Sequence, residues 1–188
     1  MVTDPLATLL ADYLPKTGVE AHDLDRIRTL VQRGNAWRRE QPLHVTASAL
    51  VVHPASERVL LRWHERQQAW LQVGGHGDPG ETDPVAVACR EGFEETGLTD
   101  LRPWPTAELQ HLVIVPVPPR ADEPAHHHAD LRFLLATDEP ERARPEQPTA
   151  PLDWLSLADA LQRTTEENLR ETITRAAAVL GWTHAPRR

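Results

Sequence analysis

Arg90, Glu91, Glu94 and Glu95 lie within six consecutive residues. That density of charge is a poor choice for a purely structural helix. Glu91 and Glu94 are three apart and Glu91 and Glu95 four apart, so on a helix like charges share one face and repel. Glu94 and Glu95 also fall in the last turn before Gly97, where the helix dipole disfavours anions. A cation has to offset them, and a divalent metal with oxygen ligands is the simplest candidate.

The cluster belongs to residues 74–98, GGHGDPGETDPVAVACREGFEETGL, a glycine-rich turn running into a helical segment. Asp83 and Pro84 supply an N-cap type and a proline at the first helical position, and Gly97 suits a left-handed C-cap. At about 100° per residue, Val85, Cys89, Gly92 and Thr96 share one side, with Ala88 at its edge. Glu91, Glu94 and Glu95 fall roughly opposite. The spacing therefore predicts a helix lying close to a sheet through small residues, with its carboxylates facing a cleft.

These residues resemble the Nudix box, G-x5-E-x7-R-E-U-x-E-E-x-G-U, with U a bulky aliphatic. Gly75, Glu81, Arg90, Glu91, Glu94, Glu95, Gly97 and Leu98 each find a place in it. Two positions depart from the pattern. Eight residues, not seven, separate Glu81 from Arg90, which predicts one extra residue in the turn. Gly92 stands where a bulky aliphatic is usual, with Phe93 the candidate to fill the missing volume.

The resemblance implies that Glu91, Glu94 and Glu95 hold Mg²⁺ or Mn²⁺, with the Gly74 carbonyl as an extra ligand. It further implies either Glu91 as general base or a base from a later loop, where Glu146, and after it Glu139 or Glu141, is the candidate. Arg90 is expected to orient the site by pairing with Glu94 or Glu81. In fold, the resemblance implies the Nudix α/β/α sandwich, a mixed sheet with the box as a loop–helix–loop at one edge. Pattern alone supports α/β or α+β.

Other side chains could reach a substrate. His128, Asp130 and Arg132 alternate along one strand face, where Arg132 could grip a phosphate; a structural ion pair is the alternative. Arg62 and His64 are similar candidates on their own strand, and His76 follows the metal-site glycines. Trp63 and Trp70 could stack on a base or pack in the core. His126, His127 and His128 lie beside a proline-rich segment and read as a solvated loop tip rather than a zinc site, with no cysteine partner nearby. Ser48 and Ser56 lack the G-x-S-x-G context of a serine hydrolase.

The order of elements fits this reading. Residues 6–14 and 22–33 read as helices, 44–53 and 58–64 as a hairpin, and 109–117 and 129–137 as strands. A short helix follows at 157–162 and an amphipathic one at 166–180. This divides the 188 residues into an N-terminal helical extension, 1–42, and a Nudix-type domain, 43–188. The extension is expected to pack on the core or on a second subunit of a homodimer. A formal net charge of −8 argues against a general nucleic-acid or anionic-membrane binder. The single cysteine, Cys89, excludes an internal disulfide and fits a reducing compartment. Neither a signal pattern nor an apolar run near 18 residues is visible, so a cytoplasmic protein is the expectation.

The function implied is metal-dependent hydrolysis of a nucleoside diphosphate linked to another moiety. A catalytically silent Nudix-fold sensor of a nucleotide or nucleotide-sugar is the alternative, against which the complete set of glutamates weighs. Isomerase chemistry of the isopentenyl-diphosphate type would call for a catalytic cysteine, and Cys89 lies on the wrong side of the helix.

Overall fold

The computed structural model describes residues 4–120 and 123–182. Helix α1 (Pro5–Asp12) begins where the Asp4 side chain accepts from Leu6 N, with proline at its first position. Helix α2 (Gly18–Gln32) starts four residues earlier than periodicity suggests, because Thr17 caps it by accepting from Glu20 N. The apolar stripes of both helices enter the core, with Leu6, Leu10, Leu24 and Ile27 almost fully buried. The N-terminal segment is therefore packed on the sheet.

The strands are β1 (Leu43–His53), β2 (Arg58–His64), β3 (Ala69–Leu71), β4 (Val73–His76), β5 (Arg102–Pro103), β6 (His111–Val117), β7 (His126–Ala136) and β8 (Leu152–Ser156). Among the described residues they form one mixed sheet. Its spine is the parallel pair β1 and β7, in register from Leu43 opposite His127 to Val52 opposite Ala136. The sheet forks on both sides of that spine. The first half of β1 pairs with β4 and the second half with β2, while β7 takes β6 along its first half and β5 at its end. Residues 152–156 add a further strand against β2.

Helices cover both faces. Residues Ala47, Ala49 and Val51 of β1 and Leu131, Phe133 and Leu135 of β7 face α1, α2 and α3 (Pro84–Thr96). The alternate residues Leu50, Val52, Leu134 and Ala136 face α4 (Leu157–Arg163) and α5 (Glu167–Leu180). This is an α/β/α sandwich with the period-two division of side chains that a sheet buried on both faces requires. The layers are tied at the β6 edge. There Arg175 Nη1 of α5 donates to Glu20 Oε1 of α2 at 2.7 Å, and the Tyr13 hydroxyl makes a short bond to the same carboxylate.

The strand expected at 129–137 begins at His126, so the three adjacent histidines lie in the sheet and not in a loop tip. His126 is buried, His128 half-buried and His127 exposed. Backbone pairing explains this: His127 N donates to Pro42 O, and the strand continues the β1 register.

Candidate active site

Helix α3 is capped as its sequence predicts. Asp83 Oδ1 accepts from Val85 N, Pro84 takes the first position, and Gly97 ends the helix at φ +67° with its N–H on Phe93 O. Which side it buries differs from expectation. Val87, Ala88, Gly92 and Thr96 are buried, whereas Val85 and Cys89 are only partly so. The sheet-facing side is thus centred on Glu91 and Glu95, whose side chains are 15% and 13% exposed; Glu94, at 47%, is the one that looks outward. Gly92 is not compensated by Phe93, which is half exposed. A Cβ on Gly92 would meet Leu101 Cδ1 at 2.9 Å and Leu135 Cδ1 at 3.4 Å, so those leucines already fill the space.

Two carboxylates can face the sheet because the strand opposite them has no side chains there. Gly75 of β4 lies so close that a Cβ on it would be 2.6 Å from Glu91 Oε1. Gly74 N donates to Glu95 Oε2 at 3.0 Å. Burial raises Glu91 above the ordinary carboxylate range, though Arg90 pulls it back. Burial also pushes Glu95 up to about 7, against the opposing pull of Arg62 and the Gly74 amide.

Arg90 organises the rest. Its Nε donates to both oxygens of Glu81 at 3.1 Å, and its Nη2 to Glu81 Oε2 at 2.9 Å. Nη1 donates to Glu91 Oε1 at 3.1 Å and to Glu94 Oε2 at 3.0 Å, and Nη2 also reaches the His76 carbonyl at 2.7 Å. One planar guanidinium thereby fixes three carboxylates and the β4 backbone, which an ammonium could not do. The extra residue after Glu81 does not displace that side chain. Gly80, at φ +96°, lets the turn fold back so that Asp78 N donates to Glu81 Oε2. Its hydrogen bonds to Arg90 hold Glu81 below the ordinary range.

The model of the NUDIX domain matches residues 42–176. The chain belongs to the Nudix family. Among curated proteins, a probable DHNTP pyrophosphohydrolase of Lactococcus lactis subsp. cremoris (strain MG1363) is 31% identical over 106 residues; the match spans 56% of this chain and 61% of that protein. Among solved structures, a binary complex of the C. elegans Ap4A hydrolase superposes with a TM-score of 0.61 at 19% identity, over 73% of this chain and 97% of that one. The E. coli dihydroneopterin triphosphate pyrophosphohydrolase superposes with a TM-score of 0.54 at 19% identity, over 72% and 94%. At these identities the structures show the shared fold.

This Nudix domain has an open cleft of about 580 Å³ that none of the box carboxylates lines. Arg62 joins the two. Its Nη1 lies 3.3 Å from Glu95 Oε1, it is 14% exposed, and it lines the cleft. Its buried Nε has no hydrogen-bond partner among the described residues, an open donor that an oxyanion would satisfy. Arg66, Arg120, His64 and Gln147 line the same cleft, with Glu65 the opposing charge. Sequence reading missed Arg66, Arg120 and Gln147, which come from separate loops with no local pattern linking them.

Glu146 is exposed, but its charge reaches Glu95 and raises it. The loop is drawn in because Arg144 N donates to Thr96 O at the end of α3. No such link to the carboxylates is seen for Glu139 or Glu141. Arg132 lies elsewhere. It is 3% exposed, Nε donates to Asp130 Oδ2 at 2.8 Å, and its Nη atoms hold Asn168 and Thr172 of α5. It therefore takes the ion-pair alternative, because α5 covers that strand face. His76 sits on β4 with its ring against His44, not against the glutamates. Trp63 and Trp70 pack edge to face with centroids 5.8 Å apart. Cys89 is half-buried and pushed upward by burial, as a packing thiol would be.

Proposed function

We propose that this Nudix domain hydrolyses a nucleoside diphosphate linked to another moiety, with Mg²⁺ or Mn²⁺ held by Glu91, Glu94 and Glu95. The observation that carries this reading is the Arg90 hub. It gathers Glu81, Glu91 and Glu94 while Glu91 and Glu95 press against side-chain-free backbone. Hard carboxylate oxygens are the donor set that Mg²⁺ and Mn²⁺ prefer. A Glu95 raised to about 7 by burial also marks a cluster short of positive charge. The Gly74 carbonyl is the further ligand proposed. When bound, the metal supplies charge neutralisation on the phosphate and an acidified water.

The chain's own residues do the rest. Arg90 holds Glu91 and Glu94 in fixed orientation, so that little reorganisation is needed on binding. Arg62, supported by Arg66 and Arg120 along the cleft, grips phosphate oxygens. Glu91, or Glu146 from the loop tied to α3, accepts the proton of the attacking water. Water attacks phosphorus, the P–O bond of the anhydride breaks, and two phosphorylated products leave.

The test is a panel of nucleoside-diphosphate derivatives, with dihydroneopterin triphosphate and Ap4A included because relatives are named for them, assayed with Mg²⁺ and Mn²⁺ beside Glu94→Gln. Metal-dependent turnover that collapses in the variant is expected. Hydrolysis unchanged by Glu94→Gln would sink the ligand assignment. Binding without turnover of any compound would replace the enzyme by the silent-sensor reading.

A further inference from the structure

We propose that His44, His76 and His128 form a second metal site, for a divalent transition ion of the Zn²⁺ class. It would lie on the sheet face opposite the box carboxylates. The three residues come from β1, β4 and β7, and register alone brings them together: His44 lies opposite His128, and Thr46 opposite His76. One ligand atom of each lies within 4.8 Å of the other two. All three ring-centroid separations fall between 4.8 and 5.1 Å. Because Gly75 faces Glu91, its neighbour His76 faces the other side of β4.

Hydrogen bonds fix which nitrogens are free. His44 Nδ1 lies 2.9 Å from Gln41 O, and a carbonyl only accepts, so this nitrogen carries the proton. Nε2 of neutral His44 is then a lone pair, aimed at His76 Nε2 3.0 Å away. The same logic applies to His126, whose Nδ1 donates to Pro124 O and whose Nε2 lies 3.1 Å from His128 Nε2. An imidazole that donates Nδ1–H to a backbone carbonyl and presents Nε2 is the arrangement that orients a metal-bound histidine. Two nitrogens bonded to one tetrahedral Zn²⁺ at about 2.0–2.1 Å stand roughly 3.4 Å apart, so small ring rotations complete the shell. His126 lies outside this set and holds His128 through Nε2, so a water would take the fourth position. The protein donors are nitrogen only, which suits Zn²⁺, Co²⁺ or Ni²⁺ rather than the oxygen-seeking Mg²⁺. Asp130 beside His128 and Glu123 beside His126 oppose the charge of Arg39 near His44 and His76. An ion here would cross-link three strands and stiffen β4, the strand that seats Glu91 and Glu95.

The experiment is titration of the metal-stripped full chain with Co²⁺ in excess Mg²⁺, read by the visible absorption of low-coordinate, nitrogen-ligated Co²⁺. One Co²⁺ per chain is expected, displaced by Zn²⁺. Affinity should fall at least tenfold in His128→Gln and in His76→Gln, and stay unchanged in Glu94→Gln. Circular dichroism establishes that each variant is folded. Absence of the band in the wild-type protein overturns the proposal whatever the variants do. So does a band that survives both histidine variants, or one that Glu94→Gln abolishes.

Discussion

Gly75→Ala separates the requirements of the fold from those of the site. The added Cβ would lie 2.6 Å from Glu91 Oε1 and 2.7 Å from its Cδ and Oε2, whereas carbon and oxygen settle at roughly 3.3–3.6 Å. The Glu91 carboxylate must therefore retreat by about 0.7–1 Å. The backbone at Gly75 does not resist, since its φ is not among the positive ones, and the clashing atoms are the end of a flexible side chain. Stability should fall by no more than about 1.5 kcal/mol, the net worth of one hydrogen bond. Function should not be so tolerant. The retreat breaks the 3.1 Å bond to Arg90 Nη1 and misplaces an oxygen proposed above as a metal ligand. A displacement near 1 Å costs about 100-fold in rate, or about 2.7 kcal/mol of barrier. Thermal unfolding, Mn²⁺ binding by calorimetry and hydrolysis of the best substrate are the assays. A folded variant whose Mn²⁺ affinity and rate stay within about threefold of wild type would refute the placement of Glu91 in the metal shell. Gly74→Ala is the counterpart. Its Cβ would lie 2.2 Å from Ser48 Cβ and 2.5 Å from Ser48 Cα, at φ +149°, so β1 itself must move. A loss of about 3 kcal/mol in stability is expected, measured by denaturant unfolding.

Further outcomes follow from the electrostatics. Burial raises Glu95 to about 7, so below that pH it must release a proton to take the ligand role proposed for it. Mn²⁺ affinity should fall by up to about tenfold per pH unit as pH drops below 7, seen in calorimetric titrations across pH. Arg62→Gln removes the charge that opposes the burial of Glu95. That limb should move to higher pH, and the KM of an anionic substrate should rise. Glu20→Gln tests the tie between α2 and α5. Burial works against ionised Glu20, but Arg175, the Tyr13 hydroxyl and the Lys16 amide outweigh it and bring the carboxyl to about 2 from 4.5. A depressed carboxylate contributes stability above its unfolded value and loses it as pH falls from about 4.5 towards 2, here about 3 kcal/mol at neutral pH. Chemical denaturation at neutral pH should show that loss in the variant, with a shallower decline than wild type on acidification.

How much was legible in the sequence depends on how far apart in the chain a feature's parts lie. The α3 caps, the Arg90 to Glu94 pairing and the alternation of His128, Asp130 and Arg132 are local, and all three stand in the structure. The buried side of α3 misled because periodicity treats glutamate as outward-facing. Here Glu91 and Glu95 face inward, since Gly74 and Gly75, on a neighbouring strand, leave room for them and give Glu95 an amide. A helix read without its partner strand cannot reveal that. Arg132 shows the same limit: its strand face was readable, but not that α5 covers it with Asn168 and Thr172. The histidines are the extreme case. His44 is separated from His76 by 32 residues and is joined to it through Nε2 atoms 3.0 Å apart, a juxtaposition set by the register of three strands. The prolines near residues 116–124 pointed to a loop tip, while pairing with β1 and β6 carried β7 back to His126. Side chains that look unremarkable along the chain can therefore converge where strands from distant segments align. In this protein the two convergences, carboxylates on one side of β4 and imidazoles on the other, are separated by the thickness of a single strand.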